Sequence, residues 1–263
     1  MSESIKAIIL CGGLGSRLAE ETQVKPKPMI EIGGKPILWH VMKIYERHGI
    51  KNFMLTLGYK GEVIKDYFLN YHALQSNMIV NLKNGQVEYS NPTAEDWRVS
   101  LIDTGANTMT GGRLLRLKPY LRSGGTFMLT YGDGVSDVDI KALLDFHRRH
   151  GRLATVTAVR PSARFGGMHI GNENKVTDFQ EKPQSGEGWI NGGFFVFEPG
   201  IFDYLKDDGS VLEQSPLQDL SRDGQLMAYE HIGYWQCMDT VRDRNALEAE
   251  WASGHAPWLK GQL

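Results

Sequence analysis

IKAIILCGGLGSRLAEETQVKPKPM, residues 5–29, decides how the rest of the chain is read. Its first six residues are an apolar, β-branched run that stops on glycines, the pattern of a strand buried on both faces in a parallel sheet. Glycines after such a strand leave main-chain N–H groups open to a ligand, and phosphate oxygens suit them. The same glycines also serve a plain tight turn. Ten positions after Arg17 stands Lys27, held between Pro26 and Pro28, so fixed positive charge follows bare backbone.

Working outward, PILWHVMKIYERHG (36–49) has Pro36 at a helix start, Gly49 past its end, and Leu38, Val41, Met42 and Tyr45 on one face. NFMLTLGY (52–59) reads as a strand and KGEVIKDYFLNY (60–71) as a helix. Residues 76–104 are irregular, with WRVSLIDT (97–104) a strand near their end. GGRLLRLKPYL (111–121) predicts a helix and TFMLTY (126–131) a central strand ending at YGDG. DIKALLDFHRRHG (139–151) predicts a helix capped by Asp139, and LATVTAV (153–159) a strand. The alternation predicts an α/β fold, a Rossmann-like, mostly parallel sheet with helices on both faces. From residue 161 the pattern loosens into short strands, VTDFQE (176–181), GGFFVF (192–197) and LMAYEH (226–231), before a final helix near 241–252.

A chain of 263 residues suits one elaborated domain, 1–263, without an internal repeat or linker. A composition of 41% hydrophobic and 23% charged residues is that of a globular protein with a sizeable core. The net charge of -2 argues against a nucleic-acid or anionic-membrane partner, so any bound anion must be met by local groups. The first residues carry no signal-peptide pattern, and no stretch approaches the ~20 apolar residues of a membrane span. Cys11 and Cys237 are too few for a disulfide framework or a zinc site, which leads to the expectation of a reduced, cytoplasmic setting. The eight histidines form no HExxH and no tight ligand cluster, so they are expected in satisfied or surface roles.

Three phosphate motifs can be set against the opening stretch. A Walker A loop needs Gly-Lys followed by Ser or Thr, which GGLGSR lacks. In the dinucleotide fingerprint a third small residue is required where Leu18 stands. The third, G-G-x-G-[ST]-R-L followed by a Pro-Lys pair, is matched by Gly12 to Leu18 with Lys27. Here the chain resembles the sugar-nucleotidyltransferases, the nucleoside-diphosphate-sugar pyrophosphorylases. The likeness runs on in the family's order through GGKPIL (33–38), YGDG (131–134), FQEKP (179–183) and INGGFF (190–195). Within that family, KPKPMIEIGGKPILWHVMKIYERHGI, DTGANTMTGGRLLRLKPYL and GYWQCMDTVRD look like the members that act on CTP and α-D-glucose 1-phosphate. Cys11 departs from the alanine that members often carry.

The resemblance implies the nucleotide-diphospho-sugar transferase fold. Residues 1–160 would mainly bind nucleotide, and 161–263 would form a smaller, β-rich sugar-binding part. It implies an in-line attack of a sugar phosphate on the α-phosphorus, with pyrophosphate leaving. The attacking oxygen is already an anion, so positioning and electrostatics supply the catalysis. Arg17 and Lys27 are the expected catalytic cations, on the leaving pyrophosphate and the α-phosphate respectively. Leu10, Cys11, Gly12, Gly13, Gly15, Ser16 and Gly132 would line the nucleotide, with Thr108 and Arg113 near the base. Glu181, Lys182 and Asn191 would bind the sugar phosphate. Asp133, at the carboxyl end of a strand, suits Mg²⁺, and the resemblance pairs it with Asp239. Taken alone each has a plainer reading: exposed charge for the cations and for Glu181–Lys182, a turn for Asn191. Trp235 either walls the sugar pocket or fills core. The family also implies a homo-oligomer, up to a hexamer, with residues 76–110 a contact or a cover for the nucleotide. The same residues would serve dTTP or UTP in place of CTP. A catalytically silent nucleotide-sugar sensor on this fold should lack Arg17, Lys27, Asp133 or Asp239, and all four are present.

Overall fold

The computed structural model describes residues 5–13, 18–90, 95–121, 125–160, 167–170, 176–180 and 188–259, with only the backbone of 19–20, 167–170 and 176–180. An eight-stranded sheet forms the middle of the fold. Its strands are β1 (Lys6–Leu10), β2 (Asn52–Leu57), β3 (Arg98–Asp103), β4 (Phe127–Tyr131), β5 (Ala154–Val159), β6 (Ile190–Asn191), β7 (Phe195–Phe197) and β8 (Leu226–His231). They lie in the order β6-β5-β7-β4-β1-β2-β3, and β8 pairs along β5. β4, β1, β2 and β3 are mutually parallel, and β7 runs antiparallel to both β4 and β5.

The opening strand behaves as its apolar run requires. Successive side chains of a strand point to opposite faces. Ala7 and Ile9 accordingly join one core cluster, and Ile8 and Leu10 the other. Helices α1 (Ile37–Glu46) and α4 (Ile140–His150) cover the first face through Leu38, Val41, Met42, Leu143 and Leu144. The second face lies under α3 (Thr110–Arg116) and α5 (Ser215–Arg222), with Leu114, Leu217 and Leu220. Burying each such side chain contributes about 1.5–3 kcal/mol. Helix α2 (Gly61–Leu69) follows β2, and α6 (Val241–Ala252) is the expected final helix. Asp139 caps α4, its carboxylate accepting from Ala142 N–H at 2.9 Å.

Three elements differ from the sequence reading. The helix expected over 111–121 is broken at Leu117 into α3 and a short turn Lys118–Leu121, because Pro119 has no N–H to continue the ladder. GGFFVF yields a strand only at Phe195–Phe197, since Gly193 and Phe194 adopt φ 75° and 44° and turn the chain first. The irregular 76–104 stretch holds a two-stranded hairpin, Asn77–Asn81 with Gln86–Ser90, whose strand residues are all exposed, followed by β3 at the sheet edge.

His40 pins the C-terminal turn to α1. It is fully buried, with Nε2 2.9 Å from Ile32 O and Nδ1 3.1 Å from Trp258 Nε1. Indole N–H only donates, so Nδ1 must accept, and Nε2–H donates to the carbonyl. Both bonds require the neutral ring, and burial lowers the pKa from 6.5 to about 4. The unfolded chain therefore takes up the proton first. The contribution is whole above pH 6.5 and is lost as pH falls toward 4, by about 2 kcal/mol at pH 5. Urea unfolding at pH 7 and pH 5 checks this. His40→Gln, which can accept and donate without titrating, should flatten the drop by about that amount.

Candidate active site

The parallel strands bring four carboxyl-terminal ends to one edge. Cys11 N–H bonds Thr56 O, Gly132 N–H bonds Leu10 O, and Thr104 N–H bonds Leu57 O, so the first residues beyond each strand stay in register. The ends of β1 and β4 and the segment after β3 wall a cavity of about 600 Å³, a size common for small-molecule sites. Among the sequence-predicted residues, Leu10, Cys11, Gly12, Gly13, Lys27, Thr108, Arg113, Gly132, Asp133 and Asp239 all line it. Gly15, Ser16, Arg17, Glu181 and Lys182 lie outside the described residues.

Lys27 is aimed by its neighbours. It begins a single 3-10 turn, Lys27–Met29, in which Pro28 is buried. Pro28 packs on Gly132 so closely that a Cβ there would stand 3.0 Å from Pro28 Cγ and 3.0 Å from Leu10 O. The Lys27 ammonium thereby reaches Asp133 Oδ2 at 2.5 Å and Asp239 Oδ1 at 2.7 Å. Burial works against the ammonium most strongly, but the two carboxylates outweigh it and the pKa is raised.

Asp133 and Asp239 are brought together by a two-stranded ribbon. Gly134–Ser136 pairs antiparallel with Trp235–Cys237, and Met238 N–H closes the ladder on Asp133 O at 2.9 Å. The Asp239 N–H then donates to Asp243 Oδ2 at 3.0 Å, and Asp243 also completes a capping box with Thr240 at the start of α6. At the far end of the ribbon, His231 Nε2 meets Asp137 Oδ1 at 3.0 Å and Ser136 Oγ at 3.2 Å. This is a clasp and not a nucleophilic triad. Serine and aspartate share one ring nitrogen, and the fully buried Ser136 donates to Tyr234 O.

Arg113 is buried, with its η N–H groups engaged by the protein. They donate to Leu57 O, Thr104 Oγ1 and Gly105 O from Nη1, and to Gly12 O and Ala106 O from Nη2. The guanidinium thus fastens the loop after β1 to the ends of β2 and β3. Gly12 owes its identity to this contact, since a Cβ there would lie 2.1 Å from Arg113 Cζ. Gly13, by contrast, has no described residue within 4 Å of where a Cβ would go.

Asn191 does not line the cavity, but its Nδ2 donates to the Tyr131 hydroxyl at 3.0 Å, and Tyr131 does line it. Trp235 is partly buried against the core and donates to Gly192 O at 2.8 Å, beside Asn191. Sequence reasoning missed Tyr131, Thr110 and Glu213. Tyr131 stood in view as the last residue of a strand, and Glu213 carries no motif.

Chemically the site offers cations, carboxylates and main-chain groups. Burial pushes both the Cys11 and Cys237 thiols up, Cys237 to about 12, so neither is a thiolate near neutrality. The described residues contain no group of three or more His, Cys, Asp or Glu able to hold a metal. Two convergent carboxylates are nevertheless a fitting donor set for a hard divalent cation that takes its remaining ligands from phosphate and water.

Bare main chain at Gly12 and Gly13, a fixed lysine and paired carboxylates at the strand ends line one cavity, an arrangement that suits a transferase acting on a nucleotide. The chain belongs to the nucleotidyl transferase family, whose model matches residues 6–240. It is 52% identical over 254 residues to glucose-1-phosphate cytidylyltransferase of Salmonella typhimurium, covering 97% of this chain and 98% of that one. To the probable glucose-1-phosphate cytidylyltransferase of Bacillus subtilis it is 42% identical over 255 residues, 97% of this chain and 99% of the other. The fold is that of HddC from Yersinia pseudotuberculosis, at a TM-score of 0.69 and 23% identity, covering 94% and 99% of the two chains. Members of the family typically use a divalent metal. Among the described residues, no helix is long and apolar enough to cross a membrane.

The two glycines separate packing from ligand approach. Gly12→Ala should cost about 1–3 kcal/mol in urea unfolding, because the Arg113 guanidinium has to leave its carbonyls. Gly13→Ala should stay within about 0.5 kcal/mol of the parent in the same measurement.

Proposed function

We propose that the protein transfers the cytidylyl group of CTP to α-D-glucose 1-phosphate, giving CDP-glucose and pyrophosphate. The observation that carries this reading is the 52% identity to a glucose-1-phosphate cytidylyltransferase over nearly the whole of both chains. The geometry supports it with a cavity that gathers Lys27, Asp133, Asp239 and the Gly12–Gly13 backbone.

In this reading the main chain around Cys11, Gly12 and Gly13 receives the triphosphate, and Arg17 meets the leaving pyrophosphate. Lys27 stabilises charge on the α-phosphate and the incoming phosphate as the sugar-phosphate oxygen attacks in line, opposite the leaving pyrophosphate. Thr108 and the loop fixed by Arg113 flank the base. Glu181, Lys182 and Asn191 orient the sugar phosphate. Asp133 and Asp239 would hold Mg²⁺, which when bound neutralises phosphate charge and fixes phosphate geometry. Their fit rests on both carboxylates already converging on one cation, the Lys27 ammonium. No general base is needed, since the attacking phosphate oxygen is ionised near neutrality.

A homo-oligomer belongs to the same reading, with the exposed Asn77–Ser90 hairpin, which carries Ile79 and Leu82 outward, as its contact. An isolated two-stranded hairpin is marginal in water, which favours a covering partner. The two free thiols go with a reducing, cytoplasmic setting.

Pyrophosphate release from glucose 1-phosphate and Mg²⁺ with CTP, dTTP or UTP tests the assignment. Release with CTP is expected, and release with dTTP or UTP alone would move the base assignment. Binding without release for any of the three would favour the silent sensor. Lys27→Ala and Arg17→Ala should each lower turnover by about 10²-fold or more while far-UV circular dichroism is unchanged. Asp133→Asn should raise the Mg²⁺ concentration giving half-maximal rate, and an unaltered titration would remove Asp133 from the metal site.

A further inference from the structure

Behind the cavity wall runs a hydrogen-bond chain to which the reading above assigns no task. Glu213, in the turn before α5, receives the Tyr131 hydroxyl on Oε1 and the Thr110 hydroxyl on Oε2, each at 2.6 Å. Tyr131 and Thr110 line the cavity, while Glu213 stands behind them. An ionised carboxylate only accepts, so both hydroxyls must donate to it. The phenol has one proton, and Glu213 takes it. Its oxygen is left to accept, and it receives Asn191 Nδ2 at 3.0 Å. Asn191 Oδ1 in turn accepts from Gly193 N–H at 2.9 Å. One carboxylate therefore sets the direction of every bond from the turn to the amide.

The two branches are not equally dependent on Glu213. Thr110 keeps another tie, since Leu212 N–H donates to its Oγ1 at 2.9 Å. Its helix is also pinned by Met109 N–H on Asp208 O at 2.9 Å and Gly112 N–H on Ser210 O at 3.0 Å. The Tyr131 hydroxyl, with its single proton, depends on the carboxylate for its orientation. Losing Glu213 therefore disturbs the Nδ2 end of the Asn191 amide, whose Oδ1 still holds Gly193 N–H, and leaves the Thr110 branch largely in position.

We propose that Glu213 is a positioning residue for the sugar-phosphate side of the cleft, fixing the Asn191 amide through the Tyr131 hydroxyl. This rests on the reading of Asn191 as a sugar contact given above.

Steady-state kinetics with CTP, glucose 1-phosphate and Mg²⁺ test it. Glu213→Leu keeps the volume and removes both acceptors. It should raise KM for glucose 1-phosphate about tenfold, one hydrogen bond's worth, and leave KM for CTP within about twofold. Glu213→Gln, whose carbonyl still accepts from Tyr131 while its amide donates to Thr110 Oγ1, should restore most of the loss. Tyr131→Phe should reproduce the Glu213→Leu defect. The double variant should be no worse than the poorer single, because both act on one chain of bonds. An unchanged KM for the sugar phosphate in Glu213→Leu overturns the proposal. So do equal rises for both substrates, or losses that multiply in the double variant. If Glu213→Leu fails to fold, Tyr131→Phe decides alone, and a wild-type KM for the sugar phosphate in it is fatal. A wild-type protein that releases no pyrophosphate brings down the cytidylyltransferase reading and this inference with it. A wild type that turns over, with variants lacking the split, brings down the inference only.

Discussion

Two carboxylates from segments far apart in sequence, Asp133 and Asp239, are held against one ammonium, that of Lys27. Like charges this close raise each other's energy unless a cation stands between them, and desolvation adds to the cost. The surrounding structure is arranged to sustain that meeting. Pro28 locks the lysine's turn onto Gly132, the ribbon Gly134–Ser136 with Trp235–Cys237 sets the spacing of the carboxylates, and the α6 capping box fixes the Asp239 backbone. Removing one partner leaves the others charged and partly buried. The three segments therefore act as one unit, and their packing holds two carboxylates together around one positive charge.

Arg113 solves a different problem with the same kind of charge. Its guanidinium is withdrawn from water, which lowers its pKa, and its η N–H groups run to carbonyls and a hydroxyl instead of a carboxylate. Gly12, Gly105 and Ala106 lie in loops just beyond the strands, and a buried donor with several N–H groups meets their carbonyls together with that of Leu57. The glycines at 12 and 58 are required by the room this side chain takes, since a Cβ at either position would overlap it. A glycine-rich turn read from sequence as a phosphate cradle is thus partly a glycine-rich seat for an arginine. Gly13 is the position whose bareness packing among the described residues does not explain.

What the sequence made legible was whatever obeys a short period or a fixed motif. Ile8 and Ile9 alternate faces, Leu38, Val41 and Met42 share one, and Asp139 sits where a helix begins, so β1, α1 and α4 were readable locally. The resemblance placed Lys27, Asp133 and Asp239 in one site, but the ion pairs among them were not foreseen, because no local pattern says that residues 106 and 212 positions from the lysine will meet it. The break at Leu117, the turn at Phe194 and the exposed hairpin were illegible for the same reason: each depends on a neighbour distant in sequence or on a partner surface. Glu213 was the least visible, a lone acid in a turn, given meaning only by two hydroxyls that fold onto it.

The site also explains why its groups are linked to one another more than they are activated. Both thiols near the cavity are held protonated, Ser136 is buried and committed to a carbonyl, and His231 is engaged in a clasp. Such a set is unsuited to covalent catalysis, which needs an exposed nucleophile beside a free base. It suits a reaction whose nucleophile arrives already ionised on the substrate, where the protein's task is alignment and charge compensation. Alignment to within a fraction of an ångström demands side chains whose own positions are fixed by further bonds. Arg113 behind Gly12, Asp243 behind Asp239 and Glu213 behind Tyr131 each supply one such bond, and Pro28, packed on Gly132, holds the turn of Lys27 by contact instead. A chain with a net charge of -2 can then meet a polyanion through a few cations held in fixed positions, without an overall basic surface.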